Sequence, residues 1–295
     1  MQWKDRYDLK VTLARGSGFC FGVRDAVEMA HESTDEYGSV YMLGDIVHNE
    51  HVVSQLDDAG IMVVDKLAKV KDAPVLFRAH GTSKEVWENA EKIGLNIIDA
   101  TCPLVTQIHE EVKQLAEEGR EIFIIGDHGH DEVIGIASQI EGATVLSSAE
   151  EAESLRKMKK IGVVSQSTQT IENVQEILNV LVTKATDLRF INTICFPTTR
   201  NQEAIKELAK LNDIMIIIGS FTSANTKRLT SISKKLNKHT YQVQADNDLS
   251  LEWFKGIETV GVSAGASTPD FLIQKVITRL NEISIELETA DAESV

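Results

Sequence analysis

The sequence predicts an α/β fold of three related modules, each with a small, mainly parallel sheet, arranged as a ring with pseudo-threefold symmetry. Two observations predict it. First, short apolar runs alternate with segments of helical period, which is typical of βαβ units. Second, a helix-like segment and then an apolar strand ending at a glycine follow each of the three cysteines, and every such glycine lies 24 residues beyond its cysteine. The cysteines are Cys20, Cys102 and Cys195, and the glycines are Gly44, Gly126 and Gly219. Equal spacings indicate three copies of one unit.

This register places the modules at residues 20–101, 102–194 and 195–285. The N-terminal strand at 10–15 stands where "LNIIDA" and "RFINTI" stand before the other two cysteines, so it is expected to complete the sheet of the third module. Polar loops at the carboxyl ends of the strands should then face one centre. The segment "FPTTRNQ" after Cys195 is predicted to be a loop, and the acidic tail at 286–295 is predicted to fray.

The charge balance excludes several partner classes. Thirty basic against 45 acidic residues give a formal net charge of −15, which opposes nonspecific binding to nucleic acid or to anionic membranes. The N-terminal residues lack the apolar core of a signal peptide, and the longest aliphatic run, residues 214–218, is too short to span a bilayer. Three widely spaced cysteines indicate a reducing compartment, so the predicted location is cytoplasmic.

The three cysteines favour a metal centre. A single cysteine is more often a small buried hydrophobe. Three cysteines in one repeated register are expected to converge on one centre. Each precedes a helix, and because helix N-termini lower the pKa of a thiol, the thiolate form is favoured. Zinc and an iron–sulfur cluster are both possible occupants. Structural zinc normally uses close cysteine pairs and four protein ligands, whereas a four-iron cluster on three cysteines leaves one iron open for a substrate.

The loops around the predicted centre carry donors suited to phosphate oxygens. They are His48, His80, His130, Ser223, Asn225, Ser267 and the pair Ser167/Thr168. A lone histidine is usually a surface or core residue, but three at corresponding loop positions favour function. Four other histidines are given structural or supporting roles: His31, His51 and His109 on helical segments, and His128 beside His130.

Glu132 follows His130 by two residues and is a candidate proton donor. The alternative is an ordinary solvated loop carboxylate. "GSGFCFG" resembles a dinucleotide-binding G-x-G-x-x-G only loosely, since its spacing differs and Cys20 lies inside it. A nicotinamide site is therefore not predicted.

Nine motifs, in order, resemble the 4-hydroxy-3-methylbut-2-enyl diphosphate reductase (IspH/LytB) family and cover nearly the whole chain. They are "GFCFGV", "GDIVHN", "AHGTS", "DATCPLV", "GHDEVIG", "SQST", "NTIC", "GSFTSANTKRL" and "GVSAGAS". The resemblance implies a three-module ring around an oxygen-sensitive [4Fe-4S] cluster with three cysteine ligands and one open iron. It also implies the last step of the non-mevalonate isoprenoid pathway, a reductive dehydroxylation that gives isopentenyl and dimethylallyl diphosphate, with ferredoxin or flavodoxin as electron donor.

The resemblance also implies a role for each matching residue. Cys20, Cys102 and Cys195 resemble the cluster ligands. His48, His80, Ser223, Asn225 and Ser267 resemble the diphosphate-binding residues. His130 resembles the histidine near the substrate's hydroxyl end, Glu132 the proton-delivering glutamate, and Ser167 a hydroxyl relay that also contacts substrate.

Three positions depart from the family pattern. Ala224 stands where the family usually has a second serine, Ser167 replaces a threonine, and Arg200 and Asn201 in "CFPTTRNQ" are shifted relative to the family arginine. These departures bear on affinity and rate rather than on reaction class. Two competing functions are a non-enzymatic iron–sulfur sensor, which needs the thiols but no phosphate-binding ring, and a three-cysteine hydro-lyase, which needs no electron supply.

Overall fold

The structure is a computed structural model that describes residues 9–293 of the 295-residue chain. These residues form two compact units. The continuous unit spans residues 21–198, and the split unit combines the residues up to 20 with those from 199 onward. The division into modules at 20–101, 102–194 and 195–285 stays a prediction.

The chain alternates strands and helices throughout the described residues. The strands are β1 (Lys10–Leu13), β2 (Val40–Leu43), β3 (Ile61–Val64), β4 (Val75–Phe77), β5 (Ile97–Asp99), β6 (Glu121–Ile125), β7 (Thr144–Leu146), β8 (Met158–Ser165), β9 (Ala185–Phe190), β10 (Ile214–Ile218), β11 (Thr240–Val243) and β12 (Thr259–Ala264). The helices are α1 (Phe21–Tyr37), α2 (Glu50–Asp58), α3 (Lys84–Lys92), α4 (Pro103–Glu117), α5 (Asp131–Ala137), α6 (Ala149–Glu153), α7 (Ile171–Lys184), α8 (Phe196–Leu211), α9 (Ala224–Leu236) and α10 (Asp270–Glu293).

The predicted α/β class with three small parallel sheets is confirmed. The continuous unit holds two four-stranded sheets, with strand orders β3-β2-β4-β5 and β7-β6-β8-β9, and the split unit holds a third, β1-β12-β10-β11. All strand pairings among the described residues are parallel. Parallel sheets bury both faces, which explains the unbroken apolar strands of the sequence.

The second sheet illustrates how each strand divides its side chains between two cores. Ile122 and Ile124 of β6 pack with one face of α4, whereas Phe123 and Ile125 join a core that includes Ile177 of α7. Since successive strand residues point to opposite faces, the four consecutive apolar residues require helices on both sides. The same alternation divides β10 of the split unit between two cores.

The three glycines found by their spacing make equivalent hydrogen bonds. Gly44, Gly126 and Gly219 each donate the backbone N–H to the carbonyl of the last residue of the neighbouring strand, at 2.8, 3.0 and 2.8 Å. Those acceptors are Val64, Leu146 and Val243. The threefold repeat is thus present in the backbone bonding of each sheet as well as in the sequence.

The three cysteines are equivalent in the same way. Each immediately precedes a helix, α1, α4 or α8, as predicted. The backbone N–H groups of Cys20, Cys102 and Cys195 donate to carbonyls in the loop after β12, β4 and β8, at 3.2, 3.0 and 2.9 Å. The acceptors are Ala266, Ala79 and Ser167. The backbone of each cysteine is therefore hydrogen-bonded to a polar loop that carries predicted site residues.

Two segments differ from expectation. "FPTTRNQ" is helical, because α8 begins at Phe196 directly after the cysteine, and the loop prediction was wrong. A proline in the first helical turn loses no intrahelical hydrogen bond, so Pro197 is compatible with this start.

The tail expected to fray from 286 is instead helical to Glu293. Leu287 is buried in the core of the split unit, and Arg279 pairs with Glu282 and Glu286. Residues 294–295 lie outside the described part of the chain.

The N-terminal strand joins the third sheet as its edge. β1 pairs with β12 in the register Lys10 to Thr259 through Leu13 to Val262, so it is slightly shorter than the predicted 10–15. Among the helices of residues 9–293, none combines the length and apolar character that crossing a bilayer requires.

Candidate active site

Three histidines meet in the continuous unit. His48 precedes α2, His80 follows β4, and His130 is the N-cap of α5. The ring centroids of His48 and His80 are 4.4 Å apart. The ring centroid of His130 lies 5.3 Å from that of His48 and 5.8 Å from that of His80. The three histidines form one cluster, although only His48 and His130 occupy corresponding loops, after β2 and β6, whereas His80 follows β4, the counterpart of β8.

His80 is held neutral by its surroundings. Burial of the ring lowers its pKa well below the usual value, and positive charge on His48, His130 and Arg78 would lower it further. Its Nδ1 is buried without a hydrogen-bond partner among residues 9–293. Since an unpaired buried nitrogen is costly, its retention favours a ligand that supplies the missing partner.

An ion pair that sequence reasoning missed lies beside the histidines. Arg78 Nη1 contacts Asp131 Oδ2 at 2.6 Å, and His48 Nε2 lies 4.0 Å from the same oxygen. Both partners are less than one third exposed. The pair links the end of β4 to the first turn of α5, 53 residues apart. The only signal in the sequence is their proximity to His80 and His130.

Glu132 is buried and held by Ser167. It lies in the first turn of α5 rather than on a loop, and it is 1% exposed, so the alternative of a solvated loop carboxylate is wrong. The Ser167 backbone N–H donates to Oε1 at 2.6 Å, and the Ser167 hydroxyl donates to Oε2 at 2.9 Å. This arrangement fixes the orientation of the carboxylate.

The same turn determines which nitrogen of His130 carries the proton. His130 Nδ1 accepts a hydrogen bond from the Glu132 backbone N–H at 3.2 Å. A nitrogen that accepts cannot carry a hydrogen, so the neutral ring is protonated on Nε2. His130 can therefore donate a hydrogen bond through Nε2.

His109, expected to be structural, packs against the loop that carries His80 and against α5, which carries Glu132. Its ring packs against Gly81, which follows His80, and against Gly135 of α5, where an added Cβ would lie 3.1 and 3.6 Å from ring atoms. Burial lowers its pKa to about 4. His109 thus fills the space between the His80 loop and the helix that carries Glu132, as a neutral ring. His128, also expected to be structural, contacts both carboxylate oxygens of Glu151 at 3.0 Å.

Two cysteines lie in the continuous unit. An added Cβ at Gly22 would come within 2.5 Å of Cys102 Sγ, so only glycine permits the thiol to occupy this position. Cys195 Sγ lies 3.0 Å from the Thr198 hydroxyl. All three cysteines of the chain are in the described part, and none forms a disulfide.

The split unit carries the remaining candidates at the start of α9 and on the loop after β12. Ser223 is the N-cap of α9, and its hydroxyl accepts from the Thr226 backbone N–H. Asn225 is 6% exposed, and both its amide atoms lack a hydrogen-bond partner within residues 9–293. Ser267 is 8% exposed and follows Ala266, whose carbonyl accepts from Cys20. A buried amide without partners needs an explanation, and a ligand that bonds to both its atoms supplies one.

Metal ligation by the cysteines stays a prediction. Cys102 and Cys195 belong to the continuous unit and Cys20 to the split unit. Within residues 9–293, no three histidine, cysteine, aspartate or glutamate side chains are grouped as the ligands of a metal ion.

Comparison with known proteins gives a consistent result. The sequence model of the family described as "LytB protein" matches residues 11–281. The 4-hydroxy-3-methylbut-2-enyl diphosphate reductases of Geobacter metallireducens and Geobacter sulfurreducens are 41% and 42% identical to this chain. Each alignment covers 93% of this chain and 98% of the relative.

Solved structures agree with these relatives. The (E)-4-hydroxy-3-methyl-but-2-enyl diphosphate reductase described as the terminal enzyme of the non-mevalonate pathway matches with a TM-score of 0.70 at 40% identity. That match covers 93% of this chain and 99% of the other. The corresponding reductase from Plasmodium falciparum matches with a TM-score of 0.88 at 30% identity, over 92% and 87% of the two chains. With the family model spanning nearly the whole chain, and with relatives of this similarity along almost their full length, the chain belongs to the LytB protein family.

Proposed function

We propose that this chain catalyses the reductive dehydroxylation of 4-hydroxy-3-methylbut-2-enyl diphosphate to isopentenyl and dimethylallyl diphosphate. In this reaction the allylic C–O bond breaks, two electrons and two protons are taken up, and one water leaves. The proposal makes the chain an oxidoreductase of the non-mevalonate pathway. Its support is the name shared by the relatives at about 40% identity and by both solved structures.

The observation that carries the proposal is the pairing of a histidine cluster with a buried, fixed carboxylate. His48, His80 and His130 lie within 5.8 Å of one another, and Glu132 follows directly on the helix that His130 caps. An anionic substrate with a hydroxyl to be removed needs both donors for phosphate oxygens and a nearby proton source.

We assign His48 and His80 to the diphosphate. The buried Nδ1 of His80 is a ready donor or acceptor, and Arg78 lies beside it with its charge offset by Asp131. On the resemblance, Ser223, Asn225 and Ser267 are also assigned to phosphate oxygens. Asn225 supports this most strongly, because its amide has a donor and an acceptor with no partner in residues 9–293.

We assign proton delivery to Glu132, Ser167 and His130. Glu132 and the Ser167 hydroxyl are already hydrogen-bonded, so a proton on the carboxyl has a short route through that hydroxyl towards a substrate. To His130, protonated on Nε2, we assign a hydrogen bond to the substrate's hydroxyl end that assists departure of water.

The family implies an iron–sulfur cluster, and the cysteines of this chain fit one. Each thiol precedes a helix, where thiolate is favoured, and the missing side chain at Gly22 leaves the space that Cys102 Sγ occupies. We propose that Cys20, Cys102 and Cys195 hold a [4Fe-4S] cluster with one open iron. When bound, this cluster supplies single electrons and a Lewis-acidic iron to the allylic hydroxyl.

The electrons are proposed to come from ferredoxin or flavodoxin, and the cytoplasmic location expected from composition is part of the same proposal. No nucleic-acid or membrane partner is included.

Anaerobic turnover of the diphosphate substrate with dithionite tests the function. We expect brown protein with about four irons per chain, reductant-dependent loss of substrate, and both products. Serine at Cys20, Cys102 or Cys195 should impair the cluster. Turnover without reductant would indicate the hydro-lyase, a cluster without turnover would indicate the sensor, and stoichiometric zinc without sulfide would refute the cluster.

A further inference from the structure

The segment from residue 214 to 245 is unusually basic for this chain. It contains five lysine and arginine residues and no aspartate or glutamate, although the chain as a whole carries a net charge of −15. The cations are Lys227, Arg228, Lys234, Lys235 and Lys238. Neither the histidine cluster nor the cysteines involve these lysines.

Helix α9 gathers most of this charge on one face. Lys227, Ser231, Lys234 and Lys235 follow the spacing i, i+4, i+7 and i+8, which places them on the same side of a helix. They are exposed, and together with Thr230 and Gln242 they line a shallow open groove. We call these six residues the α9 basic face.

The positive charge of this face is not neutralised locally. Among residues 9–293, the three lysines of the face have no ion-pair partner, whereas Lys69, Lys113 and Lys255 each contact a carboxylate within 3 Å. An uncompensated cationic patch on an acidic molecule creates a local field that attracts and orients an acidic partner.

The floor of the groove is hydrogen-bonded to the loop that leads to Ser223. Gln242 Oε1 lies 3.1 Å from the Thr230 hydroxyl, and its Nε2 donates to the carbonyls of Gly219 and Ser220, both at 3.1 Å. Those two residues begin the loop that leads to Ser223.

The same unit links this loop to a cysteine. The Thr268 hydroxyl donates to Ile218 O at 3.1 Å, one residue before Gly219, and Ala266 O accepts from the Cys20 N–H at 3.2 Å. The α9 basic face is therefore joined to Cys20 by a short sequence of hydrogen-bonded loops within the split unit.

We propose that the α9 basic face docks a small acidic protein that carries single electrons. This rests on the proposed function, since the reduction consumes two electrons that the substrate does not supply. The helix is 13 residues long, about 20 Å, which matches one contact patch of a small protein. The acidic remainder of the chain repels such a carrier elsewhere and so orients its approach.

The test uses the cluster-loaded protein and a reduced acidic ferredoxin as probe. The variant Lys234→Glu with Lys235→Glu reverses the face, and Lys234→Gln with Lys235→Gln only neutralises it. Lys71→Glu with Lys92→Glu is the matched control, because both lysines are exposed and belong to the continuous unit. Binding is measured as Kd at low and high salt, and turnover is measured with ferredoxin and with dithionite.

We expect the reversed face to weaken ferredoxin binding about tenfold or more at low salt, and the neutralised face to do so less. The difference should vanish at high salt, because exposed charges are screened. The control should bind as wild type does, and dithionite should support equal turnover in every variant. Unchanged ferredoxin binding in the reversed variant would overturn the proposal, as would lysine-dependent binding of duplex DNA or anionic vesicles without ferredoxin binding. Absence of wild-type turnover with dithionite would instead refute the proposed function.

Discussion

Ser167 holds both carboxylate oxygens of Glu132, with its backbone N–H 2.6 Å from Oε1 and its hydroxyl 2.9 Å from Oε2. The two residues are 35 positions apart, and both are buried. The contact joins α5 to the loop after β8, whose Ser167 carbonyl also accepts from the Cys195 N–H. A single residue therefore positions the carboxylate and anchors a cysteine.

Glu132→Gln should abolish proton delivery and preserve assembly. The amide oxygen still accepts from the Ser167 N–H, and the Ser167 hydroxyl can turn to accept from the new NH₂. We expect an unchanged cluster spectrum and substrate affinity, with kcat lower by about 10²–10⁴, the usual contribution of a positioned acid. The measurement is kcat with excess chemical reductant.

Glu151→Gln is the control for this change. Glu151 is bonded to the N–H and hydroxyl of Ser147 in the same two-point manner, but the histidine it contacts is His128, which is not one of the three clustered histidines. The kcat of the Glu151→Gln variant should equal that of wild type. Activity of Glu132→Gln within a few-fold of wild type would remove Glu132 from proton delivery, and loss of the cluster would make it structural.

Asn225→Ala should weaken substrate binding without destabilising the protein. The buried amide lacks partners within residues 9–293, so its removal relieves a desolvation cost and leaves no partner unsatisfied. We expect the Kd for substrate to rise by at least the equivalent of about 0.5–1.5 kcal/mol, with equal or higher resistance to urea.

Asn237→Ala should behave in the opposite way. The Asn237 amide donates to Ala209 O and Asn212 O and accepts from the His239 N–H, so its loss should cost about 1–3 kcal/mol of stability and leave binding unchanged. If Asn225→Ala destabilised the protein similarly and left Kd and KM untouched, its assignment to phosphate would be wrong.

Ala224→Ser should tighten substrate binding modestly. Ala224 is the first residue of α9, between Ser223 and Asn225, and is only 9% exposed. A hydroxyl there adds one donor, worth about 0.5–1.5 kcal/mol if it reaches a phosphate oxygen. Calorimetric Kd measures the effect, and Ala224→Gly, which adds no donor, is the control. Weaker binding by the serine variant would contradict the prediction.

Asp131→Asn should also tighten binding. Asp131 places negative charge 4.0 Å from His48 Nε2 and neutralises Arg78, both unfavourable for an anionic ligand. A unit charge a few Å from an anionic ligand costs about 1 kcal/mol even with the full screening of bulk water, so we expect Kd to fall at least about threefold to tenfold, most at low salt. Glu121→Gln, which breaks the Arg156 ion pair of equal length, should leave Kd unchanged. Weaker binding in Asp131→Asn would mean that the ion pair positions His48.

The sequence supports more of the fold than of the site. Apolar runs and the cysteine–glycine spacing were sufficient for the parallel sheets, because parallel strands are buried on both faces and carry an unbroken apolar signal. β9 is longer than its predicted core "RFI", since its first residues, "ATDL", are exposed or only half-buried and lack that signal. The helix at Phe196 was missed because its polar first turn resembles a loop.

Within the site, local placement was predictable and distant pairing was not. His48, His80 and His130 could be placed because each follows a strand of a repeated unit. The burial of Glu132 depends on Ser167, and the neutralisation of Arg78 depends on Asp131. Both contacts join residues from different strands and helices, and no periodicity of the chain encodes them.

His109→Gln should flatten the dependence of stability on pH. Burial lowers the pKa of His109 from 6.5 to about 4, so the folded chain keeps this ring neutral where the unfolded chain protonates it. Between those values the unfolded state binds more protons, and stability therefore falls as the pH falls. At up to 1.36 kcal/mol per unit, wild type should lose about 2 kcal/mol from this group between pH 6.5 and 4.5, whereas the carboxylates that titrate near the lower value contribute equally in wild type and variants. Urea unfolding at both pH values should show a smaller loss in His109→Gln, whereas His239→Gln, at an exposed histidine, should lose as much as wild type. Equal losses in all three proteins would show that His109 is not the group that titrates, and the gap between the His80 loop and α5 would then have to admit water.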